Sequence, residues 1–214
     1  MLELSSLLFV RHRVVNDFSL AHALLGMAMR RTDDPRSSRL FRASQTRLRA
    51  IALAYSISST GGSHSPCREE VEAYLREIVR EVELAHARSP RVRVSFTSQP
   101  VALGFAQMVA LGLVLGELVG NALEHAFPGG RSGSVRVELV AEDEPGAAVL
   151  RVRDDGVGLT RSDAEGSPSL GLEIVNLMAE QLAGTLTMTS GESRGTDISL
   201  SFIGAREPGP WHKS

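Results

Sequence analysis

Apolar residues recur at helical spacing in two N-terminal stretches and once more in the middle of the chain. Leu7, Val14, Phe18, Ala21, Leu25 and Ala28 form one stripe, with seven-residue steps between several members. Asp34 followed by Pro35 reads as an N-cap and first helical position, so a second helix starts there. It carries Phe41, Leu48, Ile51 and Tyr55 on one face and ends before Thr60-Gly61-Gly62-Ser63. Such a hairpin cannot bury its stripes alone. Dimerisation into a four-helix bundle would complete the core; the alternative is packing on the following domain within a monomer. Farther on, Met108, Leu111, Leu115, Leu118 and Ala122 keep steps of three and four, which predicts a core helix. Ala148 to Arg153 alternates, with Leu150 and Val152 opposed to Val149, Arg151 and Arg153, and predicts a strand. Ser169 to Val175 opens another helix, and Ser193-Arg194-Gly195-Thr196 leads into a strand over Asp197 to Phe202.

Polar residues interrupt these patterns at few places. Glu117 and Asn121 are four apart, so both project from one face of an otherwise greasy helix. A carboxylate and a carboxamide side by side suit Mg²⁺, which touches protein through one or two oxygen groups and keeps waters and substrate phosphates. The plainer reading is a polar face that meets solvent. Asp154 then ends the alternating strand and begins Asp154-Asp155-Gly156-Val157-Gly158. An acidic side chain beside a tight glycine turn can accept a hydrogen bond from an exocyclic amino group such as that of adenine. Glycine at Gly156 and Gly158 lets a flat ring lie against the backbone. Gly171, at the mouth of a helix, leaves backbone N–H groups and the positive helix end open to phosphate.

These pieces, in this order, resemble the ATP-binding domain shared by gyrase, Hsp90, histidine kinases and MutL. Glu117 and Asn121 match its N box, Asp154 to Gly158 its G1 box, and Leu170 to Leu172 its G2 region. The resemblance covers Pro66 to Ile203. It implies a two-layer α/β sandwich of a mixed sheet and three helices closed by a lid; with the helical hairpin before it, read as dimeric in a four-helix bundle, the chain is α+β. It further implies that Asn121 helps coordinate Mg²⁺, that Asp154 contacts the adenine amino group, that Gly158 and Gly171 flank the nucleotide, and that Thr196 lies at the adenine end.

The hairpin carries its own chemistry. His12 sits between Arg11 and Arg13, off the apolar stripe, with Asn16 one turn along the same face. A neutral imidazole has a lone pair that can attack a γ-phosphate, although a lone histidine is by default a surface residue. His12-Arg13-Val14-Val15-Asn16-Asp17-Phe18 resembles the phospho-acceptor box of one subfamily of bacterial sensor histidine kinases, and Arg47 to Ala54 resembles that subfamily's second dimerisation helix. Val15 stands where the subfamily usually has lysine, Asp17 replaces its second asparagine, and Glu124 takes an N-box position where many histidine kinases carry lysine. Arg161 in the lid is a candidate replacement cation. The Asn121-x-x-Glu124-His125-Ala126 pattern also occurs in anti-sigma serine kinases, but those lack an acceptor hairpin. A related subfamily with a Trp-x-Glu signature is disfavoured, because Trp211 is the only tryptophan.

The resemblance thus implies a histidine autokinase: ATP and Mg²⁺ held by Asn121, Asp154, Gly156, Gly158, Gly171 and Thr196, with His12 as acceptor. Glu117 would order water around the metal or polarise the acceptor, while Arg13 fills the slot beside the histidine where many kinases place an acidic base. The partner would be a response-regulator receiver domain, whose aspartate takes the phosphate. Asn16 is placed to orient a water in the reverse, phosphatase reaction. The alternative is a non-ATPase phosphotransferase or phosphatase that retains the fold.

Composition narrows this further. At 214 residues the chain fits one small helical element, 1–60, a linker, 61–65, one domain of ordinary size, 66–205, and a short polar tail, 206–214. A formal charge of -2 argues against nucleic acid as a partner, although nine arginines between Arg11 and Arg49 make the hairpin basic and suited to an acidic receiver pocket. The single cysteine, Cys67, expected at the start of a helix after Pro66, excludes an internal disulfide and fits a cytoplasmic location. Residues 1–10 have no basic leader, and no apolar run was expected to reach transmembrane length. A core cut from a longer protein and a free-standing kinase gated by a regulatory partner are both compatible with these limits.

Overall fold

The computed structural model describes residues 2–57, 65–86, 91–158, 169–191 and 195–205, with side chains from His12 onward. Helices α1 (Leu2–Met29) and α2 (Pro35–Ile57) form the hairpin. The predicted cap is present: the Asp34 carboxylate accepts hydrogen bonds from the backbone N–H groups of Arg36 and Ser37 and from the Ser37 hydroxyl. These bonds, chiefly those of Ser37, hold Asp34 below the ordinary aspartate range. Gln45 donates its amide to the His22 carbonyl at 3.0 Å and so sets the register of the two helices.

There follow α3 (Arg68–Ala85), β1 (Val92–Ser98), α4 (Phe105–His125), a 3₁₀ turn (Pro128–Gly130), β2 (Gly133–Ala141), β3 (Ala147–Asp154), α5 (Leu170–Gln181), β4 (Thr185–Gly191) and β5 (Gly195–Ile203). The strands make one five-stranded sheet in the order β1-β2-β3-β5-β4. Only β1 and β2 run parallel, bridged by α4 as a crossover; the other pairs are antiparallel. Alternation decides the faces. Val135, Val137, Leu139, Leu150, Val152, Leu200 and Phe202 are buried beneath the helices, while Arg136, Arg151 and Arg153 stand on the open side. The result is the expected two-layer sandwich of a mixed sheet with three helices.

Helix α4 lies at the centre of the helical layer, packed on α2, α3, α5 and the sheet. All five residues of its predicted stripe are buried, and so are Val114, Val119 and Leu123. Each large apolar side chain sequestered in this way contributes roughly 1.5–3 kcal/mol. The expectation about membrane-length segments is corrected here: by length and composition α4 is long and apolar enough to cross a bilayer. Its apolarity follows from being covered on several sides by protein.

The hairpin also departs from the simplest reading. Phe41, Leu48, Ile51 and Tyr55 are only half-buried. The buried face of α2 is instead Ala50, Leu53 and Ala54, which join the core formed with α3 and α4. Small residues let the helix backbones approach, a signal weaker than a stripe of large side chains.

One contact in this core has a direct energetic test. The Tyr74 ring of α3 lies on the α4 backbone at Gly112, where a Cβ would fall inside it. Its hydroxyl is buried with no hydrogen-bond partner among the described residues, and burial pushes its pKa far up. Tyr74→Phe should leave stability unchanged or raise it by up to about 1–3 kcal/mol, because an unpaired polar group is removed. Gly112→Ala should lower it by about 1–3 kcal/mol through overpacking. Chemical denaturation of the two variants checks both signs.

Candidate active site

Strand β3 delivers Asp154 to the sheet end that faces the C-terminal half of α4. The carboxylate is buried, at 6% exposure, and one oxygen accepts the Gly156 N–H at 2.9 Å. Burial, reinforced by the negative Asp155, raises its pKa above 3.8, although bonds from Gly156 and from the Thr196 backbone and side chain pull in the opposite direction. Close approach of three elements explains the glycines. A Cβ at Gly156 would overlap the Ala126 carbonyl at the end of α4, and one at Gly195 would overlap the Asp154 carbonyl. Gly195 also has φ +72°, where a side chain is strained. Gly158 has φ +73° and ends the described part of the turn. The doublet partner Asp155, unassigned by the sequence, is a structural anchor. It accepts the Ser134 N–H and hydroxyl, each at 2.7 Å, and ties the turn to β2. Partial burial opposes its ionisation, but the Ser134 bonds outweigh this and its pKa lies below the ordinary value.

Helix α5 closes the other side. Ser169 is its N-cap, the side chain accepting the Leu172 N–H, as expected of a helix mouth. Gly171 in the first turn faces α4: a Cβ there would lie 2.6 Å from a Glu117 carboxylate oxygen and 3.8 Å from the Asn121 amide nitrogen. A side chain at this position would displace the Glu117 carboxylate or move the helix N-terminus away from it. Glu117 is itself buried, at 8% exposure, and does not meet solvent as the plainer reading supposed.

Glu117 has a partner the sequence reading missed. Arg47 of α2 donates Nε to one carboxylate oxygen at 2.8 Å and Nη2 to the other at 3.0 Å. Arg39 of the same helix stands 3.7 Å from Glu124. The signal was available in outline: Arg47 falls on the same helical face as Ala50 and Ala54, an arginine where the helix is otherwise made of small buried residues.

Glu117, Asn121, Asp154, Gly156, Gly158, Gly171 and Thr196 therefore converge at one end of the sandwich. His12 and Asn16 are exposed on α1, which packs on α2. From the Gln45–His22 register, His12 lies about 12 Å farther along the hairpin axis than Arg47, at 1.5 Å per residue. Arg161, Thr160 to Pro168, Ser193, Arg194 and Trp211 fall outside the described residues. Among the described residues no cluster of three or more His, Cys, Asp or Glu side chains could hold a metal unaided. The pair of hard oxygen donors, Glu117 and Asn121, instead fits Mg²⁺ carried in with a phosphate ligand.

The raised pKa of Asp154 has a consequence for binding. A ligand that donates a hydrogen bond to this carboxylate binds the ionised form. Affinity is then full above the folded-state pKa and is lost as the pH falls through it, beginning above 3.8. Titration calorimetry with an adenine nucleotide at decreasing pH should show this loss, and Asp154→Asn should remove the pH dependence together with most of the affinity.

The same chain matches two known families in succession. Residues 10–86 match the family described as histidine kinase, and residues 107–205 match the family of histidine kinase-, DNA gyrase B- and HSP90-like ATPases. The sensor histidine kinase PdtaS of Mycobacterium tuberculosis is 34% identical over 89% of this chain. Its counterpart in Mycolicibacterium smegmatis is 32% identical over 94%. The chain spans about two fifths of the length of these relatives, 38% and 40%. In structure it is similar to the histidine kinase domain of the Erythrobacter litoralis EL346 blue-light activated histidine kinase. The TM-score there is 0.68 at 22% identity, covering 86% of this chain and 95% of that one, a likeness of fold. With the two family matches in order along the chain and curated relatives of the same kind, the chain belongs to the bacterial sensor histidine kinases with a GHKL-type ATP-binding domain.

Proposed function

We propose that this chain is the core of a two-component histidine kinase that transfers the γ-phosphoryl group of ATP to His12 and then to an aspartate of a response-regulator receiver domain. The observation that carries the proposal is the convergence of Glu117, Asn121, Asp154, Gly171 and Thr196 at one sheet end, in a chain that also exposes a histidine on a helical hairpin. Asp154, held by Thr196 and Gly156, accepts the adenine amino group, and the flanking glycines leave room for the ring. The N-terminus of α5, kept close to α4 by Gly171, offers N–H groups and a positive dipole to phosphate. Mg²⁺, held through Asn121 with Glu117 ordering its water, would neutralise charge on the triphosphate.

His12 supplies a ring-nitrogen lone pair: the N–P bond forms as the bond between the γ-phosphorus and the leaving oxygen of ADP breaks. Transfer to the receiver exchanges that N–P bond for an aspartyl O–P bond. Asn16, exposed one turn beyond His12, is the residue that would orient water in the reverse, phosphatase direction. In this reading residues 1–60 form the acceptor and dimerisation unit, residues 66–205 the catalytic domain, and the protein works in the cytoplasm. The exposed row Leu20, Leu24 and Met27 on α1, with Leu40 on α2, supports a homodimer through the hairpin. Sedimentation equilibrium showing only monomer would remove that part.

Incubation with γ-labelled ATP and Mg²⁺ should place acid-labile, alkali-stable label on the wild type and none on His12→Ala or Asn121→Ala. Label that persists in folded His12→Ala would mean a different acceptor. A folded wild type with neither label nor nucleotide affinity would favour the phosphotransferase alternative.

A further inference from the structure

The Arg47–Glu117 pair joins the hairpin to the sandwich at one of the residues the proposed reaction uses. Both carboxylate oxygens are engaged by the guanidinium, at 2.8 and 3.0 Å, with side-chain exposures of 16% for Arg47 and 8% for Glu117. Two parallel charge-assisted bonds in a desolvated site are the strong kind, unlike the more exposed Arg39–Glu124 contact on the same seam. The seam also holds Thr46 against Gly116, so α2 is fixed along α4 beside the Gly171 turn of α5. A carboxylate bridged to a guanidinium through both oxygens has its charge neutralised and half of its lone pairs occupied, which leaves less for the hydration shell of a metal. His12, meanwhile, lies about 12 Å along the hairpin from this seam, at 1.5 Å per residue.

We infer that Arg47 is a reversible clamp on the N-box carboxylate. While paired, Arg47 ties the hairpin to α4 and holds Glu117; Mg²⁺-bound nucleotide draws Glu117 away from Arg47, which loosens the hairpin. The inference rests on the reading of this site as an Mg·ATP site and makes Arg47 a positioning residue that acts through Glu117. Glu117 exchanges one cationic partner, Arg47, for another, hydrated Mg²⁺, and no covalent bond changes.

The test is a thermodynamic cycle read by calorimetry on the full chain. Mg·ATP affinity is measured for wild type, Arg47→Gln, Glu117→Gln and the double variant, and again with ATP in excess chelator. The clamp predicts that Arg47→Gln binds Mg·ATP about tenfold more tightly, the equivalent of one charge-assisted hydrogen bond no longer broken on binding. It predicts no gain in chelator and none in the Glu117→Gln background. Arg47→Lys, which keeps the charge without the fork, should fall between and serves if Arg47→Gln does not fold. In the wild type, Mg·ATP should speed amide hydrogen exchange over residues 42–50 of α2. Unchanged or weaker affinity in Arg47→Gln, with wild-type binding intact, overturns the clamp alone. Loss of Mg·ATP binding by the wild type and every variant overturns the nucleotide reading and the clamp with it.

Discussion

The burial of α4 is the constraint on which the rest of the molecule depends. This helix is covered by the sheet, α3, α5 and part of α2, and it presents Leu111, Val114, Leu115, Leu118 and Val119 to that surround. A helix so enclosed has few positions where a polar side chain is tolerated, because a buried unpaired charge is costly. Glu117 and Asn121 occupy those positions, and each surrounding element meets them at a residue suited to the contact. Gly171 brings α5 to the pair without a side chain in between, and Gly156 brings the Asp154 turn against the end of α4 at Ala126. Arg47 neutralises Glu117 from the hairpin side. The site is therefore a by-product of core packing, placed by the same contacts that hold the sandwich together.

That arrangement also decides how the hairpin and the sandwich are joined. Ala50, Leu53 and Ala54 of α2 belong to one core with α3 and α4, so the hairpin is seated on the α/β sandwich by two alanines, one leucine and an ion pair. Small-residue packing gives close approach with modest burial per side chain, an interface that can slide or part more readily than one of interlocked leucines. The ion pair sits at the end of this interface nearest the nucleotide pocket. A single carboxylate thus stands between α2, the helix paired with the one that carries His12, and the end of the sandwich that would hold the triphosphate in the proposed function.

Much of this was legible in the sequence wherever one residue type answers to one physical need. The stripe of α4, the Asp34 cap, the helix opening at Ser169 and the alternation of β3 each rested on a periodicity or a specific residue type, and each is present. The glycines of the site were legible for the same reason, since backbone elements approach there more closely than a Cβ permits. What escaped were contacts between segments far apart in the chain. Arg47 and Glu117 are seventy residues apart, and no spacing rule links them. Asp155 looked like a neighbour of the candidate site residue Asp154, yet its partner, Ser134, is on another strand. The buried face of α2 was misjudged because alanines give a weak hydrophobic signal beside Phe41 and Ile51. The length and apolarity of α4 pass for a membrane span for the converse reason: complete burial in protein and burial in lipid select the same residues.

The central claim is that one nucleotide pocket is assembled by α4, the Asp154 turn, the first turn of α5 and the start of β5. Backbone amide chemical-shift mapping tests it most directly, by titrating the chain with Mg²⁺ and a non-hydrolysable ATP analogue. The account predicts saturable shifts at residues 117–126, 154–158, 169–173 and 195–197, with a smaller set around Arg47. Shifts gathered instead at the cleft on the opposite end of the sheet, lined by Pro100, Ala102, Glu142 and Gly146, would contradict it.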